Sequence, residues 1–272
     1  MNPSTHPPFT VLCDLRWMVL GQAGGIEQAT YELLDAIGRV DRRNAYRLFA
    51  PRATCWEWDF PPRFRVSRHY SDAGVQARTL AFDLVHSPCG YIQPEMMEVP
   101  GVLTVNDLQH LAYPQFFAGG EFDNRERLYR ASVEHARQVI CISEFTRQDV
   151  HARYGVPLAK LTTVWIIPSS TVWHEVPPDA RRGLLRALGV TEPFLYYPAH
   201  GWTHKNHAAL LQAFELALPR LPPDLGLVLT GAPFEPQHPA AALMRARALA
   251  GRVRHLGFRS PLEVRALFQG CT

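Results

Sequence analysis

The sequence predicts an α/β protein made of two Rossmann-like, doubly wound domains, the second of them incomplete. Short apolar runs typical of buried strands alternate with longer segments of helical periodicity, which indicates parallel sheets covered by helices on both faces. A stretch rich in Pro and Ser at 168–178 reads as a linker, and 272 residues are enough for two domains. We expect a first domain over 1–170, a linker with a connecting helix over 171–190, and a second domain over 191–272.

Each element of the first domain follows from a local pattern of apolar residues and turn residues. The predicted strands are Phe9–Leu15, Tyr46–Ala50, Phe82–His86, Gly101–Val105, Arg137–Ile142 and Leu161–Ile167. Apolar residues repeat at helical spacing over Ile26–Val40 and Glu121–Arg137, and Ser143 is a suitable N-cap for a further helix. Arg52–Arg68 has no clear period, so we expect an irregular segment whose tryptophans pin a loop to the core.

The second domain shows the same alternation with few strands. Its predicted strands are Pro193–Tyr197, Leu225–Thr230 and Arg252–Leu256. Helices are predicted at Asp179–Leu188, after Asn206 with one apolar stripe, and at Pro239–Ala250 and Pro261–Phe268. A doubly wound domain usually has about five or six strands, so three would leave an open sheet edge. We therefore expect a truncated domain that further sequence or another chain completes.

Composition is ordinary for a globular protein. Apolar residues make up 47% and charged residues 19%, and the formal net charge of +3 is too small to indicate nucleic-acid binding. The five cysteines are scattered and odd in number, which favours reduced thiols. No signal peptide and no long apolar run stand out. We expect a cytoplasmic protein without a transmembrane segment, and peripheral contact with the inner membrane surface stays open.

The most informative stretch is Tyr196–Phe214, which reads as a strand, a tight loop and an amphipathic helix. Gly201 in the loop lets the backbone approach a ligand closely. The start of the helix offers free N–H groups and the positive end of its dipole, and Lys205 adds a compact cation suited to phosphate oxygens. The pattern alone leaves two interpretations open: a phosphate or diphosphate site, or a plain turn with a solvated lysine.

This stretch also resembles the start of the second domain in family 4 glycosyltransferases, the retaining enzymes of GT-B architecture. Many members carry a similar Tyr-Pro-x-x-x-Trp-x-His-Lys-Asn-x-x-x-Leu-x-x-Ala-Phe run after a strand. The resemblance implies that Lys205 holds the diphosphate of a sugar nucleotide, with His200, Gly201 and Asn206 beside it. The wider family often has an arginine five residues before the lysine, where this chain has His200.

A second segment extends the resemblance into the first domain. Asn106-Asp107-Leu108-Gln109-His110 is similar to the family's His-Asp-Leu-Gln-His-x-x-x-Pro-x-Phe-Phe signature, whose first histidine lies near the sugar and is often counted as catalytic. Here that position holds Asn106, which cannot exchange a proton near neutral pH. The resemblance implies that Asn106, Asp107 and His110 lie near the acceptor. Alternatively Asp107 caps its own turn and His110 braces the loop.

The glycine loop before the first helix is a third candidate site. Gly24 and Gly25 follow the first predicted strand, an arrangement that brings backbone N–H groups to an anion. They lack the G-x-G-x-x-G spacing, so we do not expect a nicotinamide site. The resemblance implies that this loop faces the interdomain cleft and touches donor or acceptor. A turn that merely requires glycine is the alternative.

Together these observations predict a glycosyltransferase that moves a sugar, with retention, from a nucleotide-diphosphate sugar to the hydroxyl of a saccharide or lipid-linked acceptor. We expect no cofactor besides the donor and no metal, since no His/Asp cluster has ligand spacing. A completing chain or a second copy is a further expected partner. Asn106 and the absence of the family's glutamate-bearing donor motif favour a catalytically silent binding module instead. The missing dinucleotide fingerprint disfavours an unrelated epimerase or dehydrogenase.

Overall fold

The computed structural model describes residues 7–16, 18, 25–49, 64–67, 81–88, 90–117, 119–166, 174–245 and 249–272. The chain divides into two compact units, Met1–Ile167 and Pro168–Thr272. Each unit has its own parallel sheet and its own apolar core. Residues 167–173, which include much of the predicted linker, lie outside the described part of the chain.

The first unit contains a seven-stranded parallel sheet in the order β3-β2-β1-β4-β5-β6-β7. The strands are β1 (Thr10–Asp14), β2 (Ala45–Phe49), β3 (Phe64–Ser67), β4 (Leu84–Ser87), β5 (Gly101–Val105), β6 (Gln138–Cys141) and β7 (Leu161–Thr163). The helices are α1 (Gly25–Val40), α2 (Gln109–Ala112), α3 (Glu121–His135) and α4 (Glu144–Tyr154). Along β1, Val11 and Cys13 enter one apolar cluster and Leu12 enters another, so both sheet faces are covered.

The second unit contains a three-stranded parallel sheet in the order β10-β9-β8. Its elements are α5 (Pro178–Ala187), β8 (Phe194–Pro198), α6 (His207–Ala217), β9 (Gly226–Thr230), α7 (Pro239–Met244), β10 (Val253–His255) and α8 (Pro261–Gly270). Leu227 and Leu229 pack with α6, whereas Val228 packs on the opposite face with Leu267 of α8. The prediction of Rossmann-like α/β units with helices on both sheet faces is confirmed.

Strand register decides which loops lie side by side. In the second unit β8 pairs with β9 from Phe194 opposite Gly226 to Pro198 opposite Thr230, so the loops after these strands begin next to each other. In the first unit β5 and β6 end together, with Val105 opposite Cys141. Candidate site residues therefore gather at the carboxyl ends of parallel strands, as expected for open α/β sheets.

The sequence-based prediction was wrong about the second edge of the first sheet. Phe64–Ser67, within the segment predicted to be irregular, forms β3 and pairs in parallel with β2. The ring of Phe64 lies against Tyr46 with centroids 4.9 Å apart. A four-residue edge strand is too short to show a period of two, and only its partner strand reveals it. The predicted tryptophan pin, at Trp56 and Trp58, lies outside the described residues.

Two element ends also differ from the prediction. β7 ends at Thr163, and Val164 to Ile166 continue as exposed, non-strand backbone. Their apolar side chains give the sequence pattern of a strand, yet each of them is at least 43% exposed. α7 ends at Met244 rather than at Ala250. Ser143 caps α4 as predicted, because its hydroxyl accepts a hydrogen bond from the Thr146 N–H at 3.1 Å.

Candidate functional site

The loop after β8 is short and tightly turned. Residues 199–206 connect β8 to α6 and contain a 3-10 turn at Thr203–Lys205, in which the Lys205 N–H donates to the Trp202 carbonyl at 2.9 Å. Asn206 then adopts left-handed angles, φ 53° and ψ 41°, directly before the helix begins. Asparagine tolerates this conformation better than most side chains. The loop therefore places Lys205 one residue before the turn into α6.

Lys205 is a cation whose backbone is held and whose side chain is exposed. Its backbone carbonyl accepts a hydrogen bond from the Tyr197 hydroxyl at 2.8 Å. Its ammonium group makes no hydrogen bond or ion pair with any residue that the structure describes. Lys160, by contrast, donates to the Glu134 carbonyl at 2.8 Å. Lys205 thus keeps its charge available for an external anion.

The start of α6 adds backbone donors at the same place. The first N–H groups of a helix have no acceptor within the helix, and aligned peptide dipoles give that end a partial positive charge. Asn206 precedes the helix without capping it through its side chain. The first amides of α6 are therefore next to Lys205 in sequence, and both attract negative charge.

His200 lies in an aromatic cluster on the exposed side of this loop. Its ring stacks on Trp202, with centroids 4.8 Å apart and planes at 16°, and meets the edge of Phe258 at 5.4 Å. Burial and the charge of Lys205 lower the pKa of His200. The imidazole is therefore neutral at pH 7. Where an arginine would supply a permanent second cation, His200 supplies positive charge only in acid.

Two glycines let the neighbouring loops pack closely. A Cβ on Gly201 would lie 2.9 Å from the Phe234 ring. Gly231, directly after β9, has φ 124°, and a Cβ there would collide with the Ala199 carbonyl. The loops after β8 and β9 thus meet backbone to backbone. Gly201 was singled out in the sequence, but Gly231 showed only as a strand-ending glycine because its contact is long-range.

A buried histidine that the sequence analysis missed lies beneath the loop. His207, the first residue of α6, is fully buried, and its ring packs against Tyr197 at 5.2 Å and Phe234 at 4.9 Å. Neither ring nitrogen has a well-formed hydrogen bond within the described residues. Burial lowers the pKa of His207 to about 4. The imidazole is therefore a neutral part of the core that supports the loop.

The loop after β5 holds the three residues predicted to lie near the acceptor. The Asp107 carboxylate accepts a hydrogen bond from the Gln109 N–H at 3.0 Å, so it caps its own turn, which was the alternative left open. The Asn106 carbonyl accepts from the Thr146 hydroxyl at 3.0 Å, which ties the loop to the start of α4. Contact of Asn106 or Asp107 with an acceptor stays a prediction.

His110 is buried within the first unit and its ring is used internally. Its Nε2 lies 3.2 Å from Glu126 Oε2 and 3.4 Å from the Tyr154 hydroxyl, which itself donates to Glu126 at 2.8 Å. Arg130 also pairs with Glu126, at 2.6 Å. Burial lowers the pKa of His110, although the Glu126 contact opposes that shift. These contacts support the bracing role among the two that the sequence left open.

The predicted glycine loop is described only in part. Gly24 lies outside the described residues, and Gly25 opens α1. No described atom lies within 4 Å of a Cβ built on Gly25, so packing does not require glycine at that position. Contact of Gly24 or Gly25 with donor or acceptor stays a prediction.

The end of β1 carries a charged cluster that the sequence analysis missed. The Arg16 guanidinium binds both carboxylate oxygens of Asp14, at 2.8 and 2.9 Å, and Glu95 at 2.9 Å. Asp14 is buried and Arg16 is largely covered. The guanidinium charge is already paired with two carboxylates, so the cluster reads as support for the carboxyl end of β1. Only the Asp-x-Arg spacing after a strand could have pointed to it.

Two further findings concern metals and membranes. Among the described residues, no group of three or more His, Cys, Asp or Glu side chains is arranged to hold a metal ion. No helix in the described ranges has both the length and the apolar character needed to cross a membrane.

Comparison with known proteins places this chain in a family. The sequence model for Glycosyltransferase Family 4 matches residues 23–165, just over half of the chain. The chain belongs to glycosyltransferase family 4. The family predicted from the two motifs is therefore confirmed.

The chain is also similar to two curated proteins. The chain is 22% identical over 214 residues to O-antigen chain mannosyltransferase B of Escherichia coli, covering 79% of this chain and 51% of that protein. It is 30% identical over 155 residues to alpha-maltose-1-phosphate synthase of Mycolicibacterium smegmatis, covering 54% of this chain and 38% of that protein. The chain thus spans about half the length, or less, of these relatives.

Solved structures share the fold of this family 4 chain at low sequence identity. Alr3699/HepE of Anabaena, in complex with UDP-glucose, matches with a TM-score of 0.69 at 18% identity, over 97% of this chain and 72% of that chain. WaaG, a glycosyltransferase involved in lipopolysaccharide biosynthesis, matches with a TM-score of 0.65 at 14% identity, over 96% and 73%. These likenesses confirm the predicted GT-B fold class.

Proposed function

We propose that this chain is a retaining glycosyltransferase, and that Lys205 and the start of α6 hold the diphosphate of its nucleotide-sugar donor. One observation carries the proposal: Lys205 is fixed at its backbone carbonyl, yet its ammonium has no partner among the described residues. Membership of family 4 supports the reaction class, and the HepE structure contains UDP-glucose.

Lys205 would act mainly on the leaving group. As the bond between the sugar's anomeric carbon and the diphosphate breaks, negative charge grows on the departing oxygen. A preorganised ammonium and helix amides stabilise that charge, and such electrostatic stabilisation usually contributes most to lowering the barrier of reactions of this kind. The Asn206 amide and the neutral His200 ring each add a hydrogen-bond donor at the same loop. No metal is assigned a step in this proposal.

The acceptor hydroxyl must lose a proton when it bonds to the anomeric carbon. Asn106 cannot take that proton near neutral pH, and His110 is buried against Glu126. We assign the proton to an oxygen of the departing diphosphate, which then leaves less charged. Asn106 and Asp107 retain the role of positioning the acceptor, a saccharide or a lipid-linked saccharide. A lipid-linked acceptor would bring the protein to the inner membrane surface.

A second candidate function is a binding module that holds a nucleotide sugar and transfers nothing. Asn106 in place of the signature histidine, together with the internal pairing of His110, favours it. Both candidates share the diphosphate site and differ only in turnover. An assay that follows release of the nucleotide diphosphate with a panel of saccharide acceptors separates them. Release that depends on acceptor supports the transferase.

The diphosphate site is tested by calorimetric titration of the 272-residue chain with UDP-glucose and GDP-mannose. Lys205→Ala should weaken binding at least about tenfold, since it removes a charge-assisted contact worth about 1.5–3 kcal/mol. The matched control is Lys160→Ala, the other lysine, whose ammonium is already bonded to a backbone carbonyl. Equal affinity of wild type and Lys205→Ala, with both folded, would contradict the proposal.

A further inference from the structure

Tyr197 connects the central sheet of the second unit to the loop that carries Lys205. Its hydroxyl donates to the Lys205 backbone carbonyl at 2.8 Å. Its ring packs edge-on against His207, with centroids 5.2 Å apart. The side chain therefore contacts the residues on both sides of Asn206, the left-handed position at which the loop becomes α6. One tyrosine touches both parts of the candidate anion site.

At the start of the loop, the Ala199 N–H donates to the Thr230 carbonyl of β9 at 3.0 Å, whereas the backbone hydrogen bonds of the 203–206 turn are local. Lys205 N–H reaches back to the Trp202 carbonyl and Asn206 N–H to the Thr203 carbonyl. Such bonds shape the turn but do not tie it to the sheet. Among the described residues, Tyr197 is the side chain that donates to the Lys205 carbonyl, and it stands on β8, which pairs along its length with β9. The turn is thereby fixed relative to a strand.

We propose that Tyr197 is a positioning residue of the diphosphate site. By holding the Lys205 carbonyl, it fixes the direction in which the lysine side chain and the first amides of α6 face. A lysine whose backbone is already fixed loses less conformational entropy when it binds a diphosphate. The affinity for the diphosphate is therefore higher. This inference rests on the proposed function of the loop. It adds a residue that does not touch the ligand and acts through Lys205.

The chain supplies a matched control in the preceding residue. Tyr196 lies on the opposite face of β8, where its hydroxyl is 2.8 Å from the Thr230 hydroxyl and its ring meets Phe268 at 4.9 Å. Tyr197→Phe and Tyr196→Phe each remove one oxygen and one hydrogen bond, which is exposed for Tyr197 and partly buried for Tyr196. The control change should therefore cost at least as much stability, but only Tyr197→Phe releases Lys205.

The test is a double-mutant cycle with UDP-glucose and GDP-mannose in calorimetric titrations. Tyr197→Phe should weaken binding about tenfold, while Tyr196→Phe stays within about twofold of wild type. In the Lys205→Ala background, Tyr197→Phe should weaken binding by less than about a further twofold, because its effect depends on the lysine. Urea unfolding of each variant checks that both tyrosine changes leave a folded protein.

Two results would overturn the role of Tyr197 alone. In one, wild type binds and Tyr197→Phe binds as tightly as Tyr196→Phe. In the other, Tyr197→Phe weakens binding to the full extent in the absence of Lys205, which would show a general structural effect. Failure of the wild-type chain to bind either sugar nucleotide would overturn the proposed function of the loop, and this inference with it.

Discussion

Two loops, one in each unit, invite comparison because both follow the carboxyl end of a parallel strand and both were expected to hold a ligand. In the loop after β5, the ionisable groups already have partners within the protein: Asp107 caps its turn and His110 Nε2 faces Glu126, while His110 Nδ1 has no hydrogen bond among the described residues. In the loop after β8, the Lys205 ammonium has no partner among the described residues, and the first amides of α6 adjoin it.

The comparison suggests different uses of charged groups: those after β5 make contacts within the protein, whereas we propose that Lys205 binds a ligand. A buried side chain that already faces a carboxylate gains little from a phosphate, because it must first give up the contact it has. An exposed cation whose backbone is fixed has no such contact to lose. We therefore propose the second unit as the place of the diphosphate, whereas the contacts of His110 join α2 to α3 and α4.

The largest expected effect comes from the backbone that supports the second loop. Gly231→Ala forces a side chain into φ 124° and drives its Cβ into the Ala199 carbonyl. We expect a loss of about 3 kcal/mol or more in the free energy of unfolding, since strain and overpacking add. Urea unfolding measures it. Gly183→Ala in α5 is the control: with open space around it, it should stabilise by about 0.5–1 kcal/mol.

Acid should destabilise both units, and the largest contributions should come from His86 in the first unit and His207 in the second. Burial lowers the pKa of His86 and of His207 to about 4, against about 6.5 for an exposed imidazole. Between about pH 4 and about pH 6.5 these histidines are protonated in the unfolded chain but neutral in the folded chain. The free energy of unfolding is therefore highest above about pH 6.5 and decreases as the pH falls toward about 4. We expect a loss of about 2–3 kcal/mol per unit. Urea unfolding at several pH values tests this, and a pH-independent midpoint would contradict it.

Breaking the charge network of the first unit should lower stability without affecting donor binding. Glu126→Gln leaves Arg130 without its ion pair and weakens the contacts of His110 and Tyr154. The carboxylate is 20% exposed, so we expect a loss of about 1–2 kcal/mol rather than the cost of a fully buried pair. Calorimetry should give unchanged affinity for UDP-glucose. A tenfold loss of affinity for UDP-glucose in a folded variant would contradict the proposal that the loop after β5 takes no part in donor binding.

A smaller effect is expected from pH at the second loop. The diphosphate of a nucleotide sugar is esterified at both ends, so its charge is constant between about pH 5.5 and 7.5. Burial and the charge of Lys205 lower the pKa of His200, so its ring gains a proton only as the pH falls below the ordinary range of an imidazole. UDP-glucose should therefore bind more tightly at the lower pH.

Two variants isolate the contribution of His200. His200→Gln should bind with little dependence on pH, while His200→Arg should bind tightly across the range, because arginine carries a permanent charge. Calorimetry at both pH values gives the comparison. A pH profile for His200→Gln that matches wild type would assign the effect to another group.

The fold was largely predictable because strands and helices leave local patterns. The loop after β8 was found the same way: Gly201, Lys205 and Asn206 stand within a few residues, and their chemistry is readable in order. The partners of His110 come from α3 and α4, and Gly231 meets Ala199 only through strand pairing. Such contacts depend on tertiary packing, so neither they nor the hydrogen bond from Tyr197 to Lys205 could be read from spacing.

The most direct measurement is a crystal structure of this chain with a bound nucleoside diphosphate, using UDP and GDP in separate crystals. Diphosphate oxygens should lie within about 3 Å of the Lys205 ammonium and of the first amides of α6. The His110–Glu126 contact should be unchanged. An ordered diphosphate bound away from the loop after β8 would show that Lys205 does not hold it.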